Sequence, residues 1–320
     1  MESINIADRY LIRERDLSLA KFYYKDAALE DKDSKYAWAR RLEVAFLQGN
    51  EQQALSLINE MKARFPKEYY PWHIEFFMCV GRSDDEAEQL LEQAKNYFED
   101  CMSYQYDRFI FLAGTGRHLE AIAVANTYLY DNDSVFDRIA EELSDVYVAV
   151  GDIEKAENVL QRAIKLSDNT MYVIKLVQLK MANNNIEAAK KICDNMIDED
   201  FKDPISEIMI KAMIAFFEDD EVDKRKRLEL VIESCKASTL EYPMRICTDL
   251  LCAVSYYVLG MKESAIEILD FIDVVTDTHI KEIDALRGTI NNENVTKQEQ
   301  SSLELYIWNM FLDIFVKYTR

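Results

Sequence analysis

The residues of this chain that could perform chemistry are mostly carboxylates, and several of them stand in adjacent pairs. Such pairs occur at Asp84-Asp85, Glu141-Glu142 and Asp219-Asp220. Two carboxylates whose pKa values differ can act as a general acid and a general base. In a chain with 59 acidic residues, however, such pairs are more often solvated turns or first turns of helices, where the helix dipole favours negative charge. The pairs alone therefore do not predict a catalytic site.

The histidines and cysteines do not form a recognisable metal or nucleophile motif. His73, His118 and His279 are far apart in the sequence, with no H-E-x-x-H spacing and no cluster of a histidine with carboxylates. No glycine pattern of a phosphate-binding loop, a dinucleotide-binding fold or a nucleophile elbow occurs. The sequence therefore predicts no metal ion, no cofactor and no enzymatic activity. An enzyme built on an α-helical toroid is the least favoured alternative.

The six cysteines are predicted to be free and buried. None of them forms a C-x-x-C pair, and most lie in apolar helical segments, as is typical of free thiols in a reducing compartment. They are Cys79, Cys101, Cys193, Cys235, Cys247 and Cys252.

The composition favours a helical protein and disfavours nucleic acid as a partner. Of 320 residues 49% are hydrophobic, which is enough for a substantial core, whereas only 7 are Gly and 4 are Pro. The net charge is −21, and no basic stripe is present that would bind phosphates. The acidic residues either attract a basic partner or simply keep the outer faces of many helices solvated.

The sequence also predicts a protein that does not enter membranes. Its N-terminus lacks the basic start and apolar segment of a signal peptide. No apolar stretch reaches the roughly 18 uncharged residues of a transmembrane helix. We therefore expect a cytoplasmic location.

The stretch from Gly151 to Ala163 shows the elements on which any site must be built. Gly151 closes one apolar segment, Ala156 opens the next, and apolar or small residues return at Leu160 and Ala163. That spacing of four and then three residues places them on one face of an α-helix. Similar blocks occur at Gly49 to Ala54, Gly81 to Ala87, Gly116 to Ala121 and Gly260 to Ala265.

The alanine that opens each block, here called the marker alanine, recurs with a nearly constant period. The first five spacings are 34, 33, 34, 35 and 33 residues, and the last is 76. The wide gap leaves room for one irregular repeat over 203–238, which lacks both the marker glycine and the marker alanine. We expect a bend or a looser joint there. The marker alanines are Ala20, Ala54, Ala87, Ala121, Ala156, Ala189 and Ala265.

The period, with two predicted helices in each repeat, resembles the tetratricopeptide repeat family, and the resemblance covers almost the whole chain. It implies an all-α fold, an α-solenoid of about eight antiparallel helical hairpins in a right-handed superhelix. It also implies that the first helix of each hairpin lines a concave surface. The residues that carry the resemblance are Trp38, Leu42, Gly49, Ala54 and Pro66 in one repeat, Leu143, Tyr147, Gly151, Ala156 and Ala163 in a second, and Ala253, Tyr256, Gly260 and Ala265 in a third.

The predicted organisation has three parts. Residues 1–34 form a degenerate N-terminal hairpin, 35–275 the tetratricopeptide-like repeats, and 276–320 a C-terminal helical cap. The last helix, at about 297–318, is predicted to cover the final repeat, with dimerisation as the alternative. A membrane-surface role is less favoured because its polar face is acidic.

Predicted first helices of the hairpins present an aromatic and acidic set of residues to the concave surface. Aromatic side chains make good anchors for a bound segment, and the alternative is that the helix phase is wrong and they are core. The set is Tyr36, Glu43, Phe46, Tyr70, His73, Phe77, Tyr106, Ile110, Glu141, Asp145, Ile174 and Gln178.

These features together predict a non-catalytic scaffold that binds a protein or a peptide, most suitably a basic one, in its concave groove. The basic clamp with which some tetratricopeptide repeats hold a C-terminal carboxylate is not matched here, because Ala39 and Glu43 stand at its places. A peptide-responsive bacterial regulator is the alternative. It is less favoured because the repeats begin at Ala20 and leave no room for an effector domain. The chain is expected to be a monomer or a homodimer through its C-terminal helix.

Overall fold

The computed structural model describes residues 2–80, 82–167, 169–183, 185–196, 204–216, 218, 220–238, 245–276 and 281–291. All regular secondary structure in these ranges is helical, which confirms the all-α fold. The α-helices are α1 (Glu2–Asp8), α2 (Leu17–Glu30), α3 (Lys35–Leu47), α4 (Glu51–Arg64), α5 (Tyr70–Cys79), α6 (Asp84–Phe98), α7 (Met102–Gly114), α8 (His118–Val124), α9 (Asp133–Ala149), α10 (Ile153–Leu166), α11 (Thr170–Ala182), α12 (Ile186–Met196), α13 (Pro204–Phe216), α14 (Glu221–Ala237), α15 (Arg245–Val258), α16 (Lys262–Thr276) and α17 (Lys281–Ile290).

The helices pack as antiparallel hairpins, as the repeat pattern predicts. Each odd-numbered helix from α1 to α15 contacts the even-numbered helix that follows it. Every marker alanine is fully buried. An alanine at these positions lets two helix backbones approach closely, and larger side chains fill the space on either side. The helix predicted over 297–318 lies outside the described residues.

The hairpins are grouped in two compact units, with the division after Ser167. The first unit contains α1 to α10 and the second contains α11 to α17. Within each unit the first helices of successive hairpins also contact one another, α3 with α5, α5 with α7 and α7 with α9 in the first, and α11 with α13 and α13 with α15 in the second. The predicted irregular repeat at 203–238 provides α13 and α14, and its Leu228, Ile232 and Cys235 are buried in the marker register.

Glycine ends four of the first helices in the left-handed conformation, as predicted. Gly49, Gly116, Gly151 and Gly260 have φ of 64°, 76°, 80° and 77°. The N–H after Gly151, that of Asp152, donates to the carbonyl of Tyr147 at 2.9 Å. That bond closes the helix end in the pattern of a Schellman motif, and the side chain of Asp152 then accepts from the N–H of Lys155 and begins α10. Gly151 and Asp152 thus end α9 and begin α10.

Replacing Gly151 by alanine is expected to destabilise the protein by about 1 kcal/mol, because φ of 80° is unfavourable for a residue with a Cβ. No heavy atom would lie within 4 Å of the added Cβ, so the cost is one of backbone conformation only. Gly114→Ala is the matched control: its Cβ also meets nothing within 4 Å, but its φ is not positive. The control should be neutral or stabilising by up to about 1 kcal/mol. Urea unfolding of both variants measures the difference, and equal free energies of unfolding would contradict it.

Two predicted α-helices contain π-helical segments that the sequence pattern did not indicate. They span Arg9–Glu14 and Ala125–Leu129. The first ends at Arg15, the only described non-glycine residue with positive φ, and there the N–H of Asp16 donates to the carbonyl of Tyr10 at 2.9 Å. The ring of Tyr10 stacks on that of Tyr23 at 5.6 Å. Hydrophobic spacing does not distinguish such a segment from an α-helix because both keep the apolar residues on one side.

Candidate functional site in the first unit

The candidate site lies on the layer formed by α3, α5, α7 and α9 of the first unit, here called the first-helix layer. None of the ten predicted site residues on these helices is in the core. Tyr36, Phe46 and Phe77 are exposed to 43%, 37% and 36%, and Asp145 is exposed as well. The other six are half-buried: Glu43, Tyr70, His73, Tyr106, Ile110 and Glu141.

The prediction is wrong for Ile174. This residue of α11, in the second unit, is only 1% exposed, so it packs in the core. Its neighbours Tyr172, Val173 and Val177 are also buried. A helix that is apolar on most sides gives no clear periodicity, and its inner face cannot be identified from the sequence. Gln178, on the same helix, is half-buried.

The N-terminal part of the first-helix layer is a network of paired groups. The hydroxyl of Tyr36 donates to Oδ1 of Asp8 at 2.9 Å, and Nε of Arg40 donates to the same hydroxyl at 3.1 Å. Arg40 also forms an ion pair with Glu43 at 2.6 Å. Its guanidinium lies 5.2 Å from the centre of the Tyr36 ring. Tyr36 and Glu43 thus both contact Arg40, and their polar groups already have partners within the protein.

The centre of the layer holds a cluster that the sequence did not reveal. The hydroxyl of Tyr69 donates to Oδ2 of Asp107 at 2.7 Å, and Nδ1 of His73 lies 2.9 Å from both carboxylate oxygens. Asp107 is fully buried, and burial raises the pKa of its carboxyl above the ordinary value although both hydrogen bonds oppose this. The fold thus brings a histidine and a carboxylate together that are not adjacent in the sequence. The repeat period could have indicated this contact, because residues 73 and 107 are one period apart and therefore occupy neighbouring first helices.

An open cavity of about 560 Å³ lies beside this cluster, where α5, α7 and α9 begin. Tyr70 and Tyr106 form aromatic parts of its wall. The guanidinium of Arg138 lies 4.4 Å from the centre of the Tyr106 ring. Burial raises the pKa of Tyr70 to about 12, with the charge of Glu43 acting in the same direction, so its hydroxyl remains a neutral hydrogen-bond donor. The full lining is Lys67, Glu68, Tyr69, Tyr70, His73, Phe98, Cys101, Met102, Ser103, Tyr106, Val135 and Arg138.

The sequence predicted three of the lining residues, Tyr70, His73 and Tyr106, but not the two cations. Lys67 lies in the connection between α4 and α5, outside the predicted first helices. Arg138 lies one helical turn before Glu141 on α9. The prediction for this helix named only the acidic residues Glu141 and Asp145. The structure gives this cavity positive side chains where the sequence predicted an aromatic and acidic surface.

The cavity contains one histidine and two side chains of nucleophilic type. A nucleophile would need contact with His73 to be activated, as in Ser-His or Cys-His pairs. Cys101 and Ser103 line the same cavity, but in the described part of the chain no thiol or serine hydroxyl makes a hydrogen bond to His73. Likewise, the described residues contain no group of three or more His, Cys, Asp and Glu side chains placed to hold a metal ion.

All six cysteines are free thiols, as predicted, and only Cys101 is partly accessible. Burial raises the pKa of Cys247 to about 12 and that of Cys252 to about 11, which keeps both thiols protonated. Among the described helices, none has the length and apolar character needed to cross a membrane.

Comparison with known proteins identifies the fold. No protein-family model and no curated protein matches the sequence. A tetratricopeptide repeat protein from Parabacteroides merdae superposes with a TM-score of 0.51 at 15% identity, and the match covers 91% of this chain and 98% of that one. The hetero-tetramer Cut9-Hcn1 of the APC/C gives a TM-score of 0.50 at 13% identity, with 90% of this chain covered. This chain spans about half of that one, 54%.

Proposed function

We propose that this chain, which has the tetratricopeptide repeat fold, is a non-catalytic scaffold that binds a protein or peptide through the first-helix layer of its first unit. The observation that supports this is the position of the aromatic side chains. Tyr70 and Tyr106 are half-buried in the wall of one cavity, and Phe77 lies exposed beside His73, with their ring centres 4.9 Å apart. Rings fixed on packed helices present apolar area to a partner at a small entropic cost.

The fold supports the same proposal. Each hairpin buries one face against its neighbours and leaves the other side of the first helix available. Binding energy can then come from side chains that are already ordered, since Tyr70 and His73 are held by ring contacts and by Asp107. The cytoplasmic location and the role of the predicted helix at 297–318, which lies outside the described residues, remain predictions. A basic partner remains a prediction for the part of α9 that carries Glu141 and Asp145.

The double variant Tyr70→Ala, Tyr106→Ala is expected to weaken binding to selected peptides by about tenfold or more, because anchors of this type each contribute about 1–2 kcal/mol. Peptides would first be selected from an unbiased array with the full chain, and affinities would then be measured by fluorescence anisotropy. Tyr97→Ala is the matched control, since Tyr97 is 73% exposed on α6, outside the first-helix layer. Selection of no peptide, or equal binding by wild type and double variant, would contradict the proposal.

A further inference from the structure

The cavity between α5, α7 and α9 differs in charge from the rest of the protein. The whole chain carries a net charge of −21, yet Lys67 and Arg138 at this cavity are both exposed. Neither side chain forms an ion pair within the described part of the chain. The guanidinium of Arg138 lies 4.4 Å from the centre of the Tyr106 ring, and its charge acts to lower the pKa of the buried Asp107. Two cations are therefore available to an incoming group.

The acidic groups at the same cavity are already occupied. Glu68 is paired with Lys35 at 2.6 Å. Asp107 lies fully buried behind Tyr69 and His73 and accepts from the hydroxyl of Tyr69. Both of its carboxylate oxygens also lie 2.9 Å from Nδ1 of His73, so its hydrogen-bonding capacity is used behind the cavity wall and not by an incoming group. The groups that remain accessible to a ligand in this cavity are the two cations, Lys67 and Arg138, and the aromatic side chains of its wall.

We infer that this cavity binds a carboxylate of the partner peptide together with an adjacent aromatic or aliphatic side chain. The guanidinium of Arg138, stacked on Tyr106, offers its N–H groups to a carboxylate in a fork that can bind both oxygens. Lys67 supplies a second charge, and the neutral hydroxyl of Tyr70 supplies a further donor. The space of about 560 Å³ exceeds what a carboxylate needs and accommodates the neighbouring apolar side chain against the rings.

This inference rests on the proposed function and specifies the partner's chemistry. It also replaces, at this cavity, the basic partner that net charge suggested. Long-range repulsion from a negative protein is screened beyond about 8 Å at physiological ionic strength, whereas contacts inside the cavity are not. Local charge therefore decides which peptide binds there.

The test uses the full chain, immobilised, and four pools of short peptides that share an aromatic residue. Three pools have amidated C-termini and place Asp or Glu, Asn or Gln, or Lys or Arg next to the aromatic residue. The fourth has no acidic side chain but a free C-terminal carboxylate beside it. We expect at least one carboxylate pool to be retained about tenfold better than the neutral pool, and the two carboxylate pools distinguish an acidic side chain from a chain terminus.

The variant Lys67→Gln, Arg138→Gln should reduce retention of the carboxylate pools to that of the neutral pool measured with the same variant. Arg13→Gln, Lys25→Gln is the matched control, because it removes the same charges from exposed residues elsewhere in the first unit. Preference for the basic pool, or a carboxylate preference that survives Lys67→Gln, Arg138→Gln, would overturn the inference. Equal retention of all pools that is lost in Tyr70→Ala, Tyr106→Ala would overturn it and support the scaffold function. Retention of no pool would count against both.

Discussion

Asp107→Ala is expected to lower the free energy of unfolding of the first unit by about 3 kcal/mol, because an orphaned buried polar group costs about 1–3 kcal/mol. The substitution leaves the buried hydroxyl of Tyr69 and Nδ1 of His73 without the carboxylate that now bonds to both. It also opens a small void beside them. Urea unfolding followed by circular dichroism measures the loss. Asp100→Ala is the control, since Asp100 is exposed, and its effect should stay within about 0.5 kcal/mol.

Asp107→Asn should keep most of the stability and change its dependence on pH. An amide can still accept from Tyr69 and can donate to His73. Burial raises the pKa of the Asp107 carboxyl in the folded state, so its favourable contribution is complete below the unfolded pKa of about 3.9 and is lost as the pH rises through the folded value. The stability of wild type relative to Asp107→Asn should therefore fall as the pH is raised from about 4. A difference that stays constant, or that rises with pH, would show that this carboxyl is not destabilised by burial.

Phe136→Ala is expected to cost about 3–5 kcal/mol, the range for truncating a buried aromatic ring. Phe136 of α9 is fully buried, with its ring centre 5.0 Å from that of Tyr130, and the guanidinium of Arg162 on α10 lies 4.1 Å from its centre. Its removal leaves a cavity at the start of α9, beside Tyr130 and against α10. Arg162 also loses the apolar surface on which it rests.

The matched control for this variant is Leu119→Ala, because Leu119 of α8 is 75% exposed. Its change should lie within about 0.5 kcal/mol. Denaturant unfolding measures the loss of stability. If the dependence of the unfolding free energy on denaturant concentration has the same slope in both variants, the loss reflects the packing of the folded state. A cost for Phe136→Ala close to that of the control would contradict the packing described here. Because Phe136 and Arg138 lie on the same helix, the variant should also weaken binding at the cavity of α5, α7 and α9.

The helices and their pairing could be predicted because their causes are local. A marker alanine is needed wherever two helices approach closely, and a glycine wherever a helix ends with φ near 77°, as at Gly260. Those requirements recur in most of the hairpins, so they appear as a period in the sequence, which is interrupted at 203–238. Tyr36, Phe46 and Phe77 were placed at the surface by the same spacing, and the structure has them exposed.

The sequence by itself therefore determined the all-helical repeat fold and the helices that carry the candidate site. Only the tertiary structure decided which charges a partner can reach. That depends on pairings between side chains on different helices, such as Lys35 with Glu68 and His73 with Asp107, which are 33 and 34 residues apart. Hydrophobic periodicity does not record which ions pair, because it reports only which face of a helix is buried. Arg138 and Lys67 consequently became visible as available cations only once the three helices were placed together.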